Sequence, residues 1–212
     1  EIVLEGFQVS VELGGWALLV AVLLGVPFGT LAALHQNRAI DHLSMGTALA
    51  GVSVPNFVLG PVLVYVFALT LGWFPAALWV EPASRVLPVL ALCVAYVARL
   101  TRAGMLEVLR ADYIRTARAK GLSERVVVVK HALKLGLMPV VSYLGPAAAR
   151  IIMGSIVVEQ VFAVPGLGRH LVQGAINRDY TLVMGVVLFY AAFLMLFNLI
   201  VDLAYTWLDP RV

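Results

Sequence analysis

Three long stretches of this chain, each of about twenty residues or more, carry no charged side chain: residues 13–34, 43–80 and 182–201. About twenty helical residues rise roughly 30 Å, the thickness of a bilayer's hydrocarbon core, so runs of this length restrict the chain to folds that cross a membrane. Composition agrees, because 62 % of the residues are hydrophobic and only 13 % charged, where a soluble domain is about 45–50 % apolar. The mean hydropathy is +0.97. The chain is read as an all-α integral membrane protein.

Residues 13–34 form the first expected span, with Pro27 between Gly25 and Gly29 expected to bend it. A polar link with Arg38 and Asp41 follows. The 43–80 stretch is too long for one straight span and is punctuated by Pro55, Asn56, Pro61 and Gly72. It reads as a kinked helix over 43–71 and then an interfacial turn, where Trp73, Phe74 and Trp79 suit the aromatic belt. Residues 86–98 are uncharged but short. Extended to 84–102, they make a third span whose Arg99 and Arg102 reach back to the interface. The fourth span is 135–158, with Pro139, Gly145, Pro146 and the single ionised group Arg150, and the last is 182–201, followed by Asp202 and the tail 209–212.

Parity and charge fix the expected sidedness. Nine of the fifteen Lys and Arg residues lie between Arg99 and Lys134, against three acids there. Basic residues collect on the cytoplasmic side. Five crossings put that segment and the Arg38 link on one side together, with the N-terminus outside and the C-terminus in the cytoplasm.

Within the basic loop, residues 112–120 are good helix formers and Gly121 follows as a residue able to take the left-handed conformation that ends a helix. Ser123 is expected to cap a second helix over 124–134. The run Val126, Val127, Val128, Val129 lowers the propensity of that second helix, so packing must support it.

The segment RLTRAGMLEVLRADYIRTARAKGLSERVVVVKHALKLGLMPVVSYLG resembles the cytoplasmic loop of permease subunits of binding-protein-dependent ABC importers of the dipeptide, oligopeptide and nickel class. In that family the loop carries the "EAA" signature and its short helix couples the permease to the ATPase. By position back from Gly121 the signature triplet stands as Arg115, Thr116 and Ala117, without glutamate, and the distance to Leu137, Met138 and Pro139 is longer than in the general pattern. Both departures are typical of the peptide class. The resemblance continues in VPNFVLGPVLVYVFALTLGWFPA and in residues 158–212, from VEQVFAVPGLGRHLVQGAINRDYTLVMGV through DLAYTWLDPRV.

The resemblance implies a type I ABC importer permease fold, as one transmembrane domain over 1–212, with a further helix upstream of Glu1. It implies that Asp112, Tyr113, Arg115, Thr116, Ala117, Arg118, Ala119, Lys120 and Gly121 form the ATPase-coupling helix. It implies two ATPase subunits that bind ATP and magnesium, a second homologous permease subunit and an external substrate-binding protein, in the inner or plasma membrane of a bacterium or archaeon. The links 73–85 and 159–181 are the candidate docking surfaces. Peptides are the expected cargo, with nickel chelates and glutathione as alternatives within the family.

The residues themselves exclude other classes. There is no GxxxxGK[ST] phosphate loop, GxSxG or HExxH, and no pair of intramembrane acids, so no catalytic residue is assigned. The Gly-x-Gly of VPGLGRH lacks the third glycine of a dinucleotide fingerprint. His35, His42, His131 and His170 show no close ligand spacing, and Cys93 is the only cysteine, read as a small apolar residue in a membrane helix, so no metal site is assigned. A net charge of +3 follows from membrane sidedness rather than nucleic-acid binding. An ion-coupled carrier needs protonatable groups at mid-membrane, whereas the spans hold only Arg150, which keeps its proton. Ser53, Asn56 and Arg150 are the candidate pathway residues.

Overall fold

The computed structural model describes residues 2–92, 95–152 and 155–208, so Glu1, Cys93 and the tail 209–212 lie outside the described residues. Every regular element among the described residues is helical. In chain order they are α1 (Ile2–Leu34), α2 (Ala39–Ser53), α3 (Asn56–Leu63), α4 (Val86–Leu92), α5 (Ala95–Leu109), α6 (Asp112–Ala119), α7 (Glu124–Val126), α8 (Leu133–Gly136), α9 (Met138–Ile152), α10 (Ile156–Val161), α11 (Leu167–Ile176) and α12 (Tyr180–Leu208). Wider π turns extend α3 over Val64–Thr70 and join α7 to α8 over Val127–Ala132, and a 3-10 turn, Pro82–Arg85, precedes α4.

α1 and α12 alone are long and apolar enough to span a bilayer among the described residues, and up to four spans result if 82–92 with 96–109, and 124–136 with 138–148, each count as one broken span. α1 begins well before residue 13, because Glu5 and Glu12 do not break a helix; the absence of charge marks only its hydrocarbon portion. Pro27 sits inside α1 without ending it. The expected single helix over 43–71 is divided instead. Pro55 takes φ −60 and ψ 143, so α2 stops at Ser53 and α3 restarts at Asn56, since proline offers no N–H and disfavours helix in the residue before it. The link 159–181 holds the second half of α10 and all of α11.

The described residues group into two compact units, each assembled from separated stretches of chain. The first comprises Glu1–Leu19, Val54–Leu92 and Gly145–Val212. Here Phe7 of α1 packs edge-on against Phe189 and Phe193 of α12, with centroids at 5.0 and 4.8 Å. Glu12 joins α1 to the 73–85 link: its carboxylate meets the Arg85 guanidinium at 2.8 Å and accepts from the Trp79 indole at 3.2 Å. Arg85 also lies over the Trp79 ring at 5.3 Å. One charge that would be costly near an apolar phase is thereby paired and half-covered.

The second unit comprises Val20–Ser53 and Cys93–Leu144. α1 and α5 touch closely because Gly25 and Gly29 present no side chain. A Cβ on Gly25 would lie 2.8 Å from the Val97 Cβ, and one on Gly29 would lie 2.6 Å from the Thr101 Cβ. Small residues at four-residue spacing let helices approach in lipid, where no water is displaced to drive association. Ala21, Val97 and Val140 are buried beside this contact.

Asp41 anchors the same unit. It is 2 % exposed, and both its oxygens receive the Arg102 guanidinium, at 2.5 and 2.7 Å. It also accepts the Asn37 N–H at 2.9 Å, holding the turn after α1, where Asn37 has φ 62. Arg102, expected to reach back to the interface, is held by α2, because a bidentate carboxylate is a strong partner for a planar fork. The Arg102 guanidinium holds the Asp41 carboxyl below its ordinary value of 3.8. A carboxyl that binds its proton less readily folded than unfolded contributes stability above its unfolded pKa and loses that contribution as pH falls through its folded pKa. Asp41→Asn should therefore lower the melting temperature of the purified protein at neutral pH, with a loss of about 3 kcal/mol. The gap between the two melting curves should hold down to about pH 5 and narrow below about pH 4; a gap unchanged at about pH 3 would contradict the ion pair's role.

Candidate functional site

The most polar element is built on an apolar floor. α6 opens at Ala111, whose backbone is extended and which offers no side-chain cap; Asp112 in the first turn supplies negative charge against the helix dipole. Ile114 and Ala117, three residues apart, turn inward and are 0 % and 7 % exposed. They join Ala33, Met105, Val127, Val128 and Ala132 in one buried cluster. The remaining residues of 112–120, namely Asp112, Tyr113, Arg115, Thr116, Arg118, Ala119 and Lys120, are exposed. An eight-residue helix is marginal alone, so this buried pair is what holds it.

Its end follows from glycine. Gly121 has φ +78, Leu122 N donates to Ala117 O at 3.4 Å and Gly121 N to Arg118 O at 2.9 Å. That is the paired closing pattern of a left-handed helix cap. A Cβ on Gly121 would meet nothing within 4 Å, so the requirement for glycine is conformational and not one of space. Across the turn, Arg118 donates to both oxygens of Glu124 at 3.1 and 2.7 Å and draws that carboxyl below its ordinary 4.5. The pair is half-exposed and contributes under about 1 kcal/mol. Its effect is to fix the angle at which the chain enters α7.

Ser123 and the valine run behave differently from expectation. Ser123 stands at the N-cap position of α7 with an extended backbone, but its hydroxyl makes no capping bond; its carbonyl accepts the Val126 and Val127 N–H groups at 2.9 and 3.0 Å. The valine run that follows does not continue as a regular α-helix but widens into the π turn Val127–Ala132, as expected where β-branched side chains crowd successive turns.

The expected coupling residues thus gather on one element and divide between its two faces. Ala117 faces the protein's own core and Arg118 is engaged by Glu124. Tyr113, Arg115, Thr116, Ala119 and Lys120 remain outward; Thr116 donates to Asp112 O at 3.0 Å and Arg115 meets Asp112 at 3.3 Å, both largely in solvent. The pathway candidates are divided between the two units. Ser53 closes α2 in the second unit, while Asn56 opens α3 and Arg150 lies on α9 in the first, all exposed. None of the three has a side-chain hydrogen bond or ion pair to another described residue. Among the described residues, no three His, Cys, Asp or Glu side chains are placed to hold a metal ion.

Sequence reading missed three polar anchors: Asp41 with Arg102, Glu12 with Trp79 and Arg85, and Glu159 with Ser10. The only signal in the sequence was an acid beside a long apolar run, which does not name its partner.

Residues 25–212 match the family model described as binding-protein-dependent transport system inner membrane component. The dipeptide transport system permease protein DppB of Bacillus subtilis is 48 % identical over 211 residues, covering 98 % of this chain and 68 % of that protein. The oligopeptide transport system permease protein OppB of Haemophilus influenzae is 47 % identical over 217 residues, covering 100 % and 71 %. Among solved structures, a chain of the inward-facing MetNI methionine ABC transporter superposes with a TM-score of 0.81 at 17 % identity, over 98 % of this chain and 96 % of that one. An amino acid ABC transporter solved with histidines gives 0.73 at 19 %, over 95 % and 92 %. At such identities the structures establish a shared fold.

The geometry at the end of α6 separates a conformational need for glycine from a steric one. Gly121→Val should weaken the turn by about 1–2 kcal/mol, and Gly121→Asn by much less, because asparagine tolerates the left-handed region. Hydrogen exchange of the 117–122 amides in the purified protein should speed up in the order Gly, Asn, Val. Equal protection in all three would show that the cap does not hold the loop.

Proposed function

The chain belongs to the family of binding-protein-dependent transport system inner membrane components, and on that footing we propose that it is the membrane-spanning permease subunit of an ATP-driven importer of di- and oligopeptides. What carries the reading is identity near one half, over essentially the whole chain, to permeases named for dipeptide and oligopeptide transport. It is a multi-pass inner-membrane protein and not itself an enzyme. Partner ATPase subunits hydrolyse ATP, and a binding protein delivers the cargo. A pair of ATPases, each binding ATP and magnesium, and a second permease subunit like this one complete the proposed assembly.

In this reading the outward face of α6 meets the ATPase. Tyr113 and Lys120 are exposed on it, Thr116 and Ala119 are small enough for close approach, and Arg115 is free to leave Asp112 for an acid on the partner. Ile114 and Ala117 carry any displacement of α6 inward to α5 and to the 124–136 segment, because all of them share one buried cluster. A rigid cap at Gly121 and a fixed turn at Arg118 and Glu124 keep that motion from being absorbed locally. Ser53, Asn56 and Arg150 are proposed to line the pathway, supported by their exposure and by the lack of a side-chain hydrogen bond or ion pair to another described residue. An intramembrane charge is retained only where it faces water or a partner, and Arg150 is suited to anionic groups of the cargo.

Two experiments test this. Cells lacking the subunit should lose uptake of labelled di- and oligopeptides and regain it on complementation. Loss of nickel or glutathione uptake alone would reassign the cargo, and uptake that survives ATP depletion but collapses with the proton gradient would make it an ion-coupled carrier. For sidedness, a cysteine at Ser123 should react with an impermeant reagent only from the cytoplasm and one at Ala83 only from outside. Both positions are exposed, so labelling of both from one face would refute the five-span arrangement with a cytoplasmic C-terminus.

A further inference from the structure

The VPGLGRH segment, which has no place in nucleotide binding, surrounds a buried carboxylate. Glu159 of α10 and Ser10 of α1 are both 0 % exposed. Ser10 Oγ donates to Glu159 Oε1 at 2.9 Å and accepts the Leu167 N–H at 3.0 Å. Glu159 Oε2 accepts the Arg169 N–H at 3.1 Å, and the carboxylate also receives the Gly168 N–H. These are the first three N–H groups of α11, which a helix cannot satisfy internally. Gly166, at the N-cap position, has no side chain to do so. The cap of α11 is therefore supplied by two other helices.

The glycines of the segment follow from this. A Cβ on Gly166 would lie 2.5 Å from Glu159 Oε2, and one on Gly168 would lie 3.0 Å from it. Gly6 of α1 makes room in the same way, since its Cβ would meet His170 Cδ2 at 2.9 Å and the Leu167 N at 3.3 Å. The Arg169 guanidinium does not pair with Glu159; it donates to Ala163 O at 2.9 Å, closing a turn whose Ala163 has φ 52. Among the described residues no ion pair neutralises Glu159, so its charge is met by the aligned N–H groups and dipole of α11.

We propose that Glu159 and Ser10 are positioning residues for receptor docking: they lock α11 onto α1 and α10, so that a load placed on α11 from outside moves α1 with it. This rests on the reading above that 159–181 faces the external binding protein. The lock needs no ligand and holds whether or not a receptor is present. Its role in transport is to make the docking segment stiff enough to pass force on.

The test uses the complete transporter in lipid nanodiscs with its binding protein. Glu159→Ala should raise amide exchange at Leu167, Gly168 and Arg169 at least tenfold. It should also cut receptor-stimulated ATP hydrolysis several-fold and raise the half-saturating receptor concentration, with basal hydrolysis unchanged. Ser10→Ala should act in the same direction more weakly and serves if the first variant does not assemble. Glu159→Gln keeps the shape and one acceptor oxygen, and should restore part of both readouts, which a merely space-filling role would not grade in this order. Unchanged exchange in Glu159→Ala and Ser10→Ala would overturn the lock. Fast exchange with normal stimulation and receptor affinity would overturn its role in docking. Absence of any receptor stimulation in the unaltered complex would instead refute the docking reading, whatever the exchange shows, and the proposal with it.

Discussion

A medium without water cannot hydrogen-bond a peptide group, and the rest of the structure depends on that constraint. Long helices satisfy the backbone internally, and their side chains can then be apolar all round. Leu188 and Met195 of α12 are 65 % and 70 % exposed, which would be a liability in water and is neutral in hydrocarbon. The hydrophobic effect consequently does little to join these helices. What joins them is close approach at small residues, as at Gly25 and Gly29 against α5, and a few polar contacts strong enough to matter where water is scarce.

Those polar contacts sit where chain segments that are distant in sequence must be held together. Asp41 with Arg102 ties α2 to α5, Glu12 ties α1 to the 73–85 link, and Glu159 with Ser10 ties α11 to α1 and α10. Each of these acids receives at least two donors, so none is left as an uncompensated charge. α6 is the exception in kind. It is short and polar on its outer face, and it keeps its shape through Ile114, Ala117 and the glycine cap rather than through a buried ion pair. An element built this way can be pushed as a unit, which is what coupling to a partner requires.

Much of this was written in the sequence. The absence of charge over 13–34 and 182–201 determined α1 and α12, because hydropathy over twenty residues needs no partner to be read. Gly121 after a run of helix formers marked the end of α6, because the left-handed conformation belongs to glycine by local sterics alone. The helix proposed for coupling could be delimited for the same reason: its signals lie within about ten residues of one another. Pro55 was visible as punctuation, but whether a proline kinks a helix, as expected over 43–71, or ends it depends on what receives the freed carbonyls.

Only the tertiary structure decided which polar residues meet. Arg102 pairs with Asp41, Arg118 turns to Glu124, and Ala117 faces inward, since each choice depends on what the fold brings opposite that side chain. The same holds for the Gly-x-Gly of VPGLGRH, whose glycines are required by a carboxylate from α10 and a hydroxyl from α1. Local propensity and hydropathy are sums over neighbours in the chain and survive reading in one dimension. Hydrogen bonds and close packing are fixed by neighbours in space, and the sequence does not state those until the helices are in place.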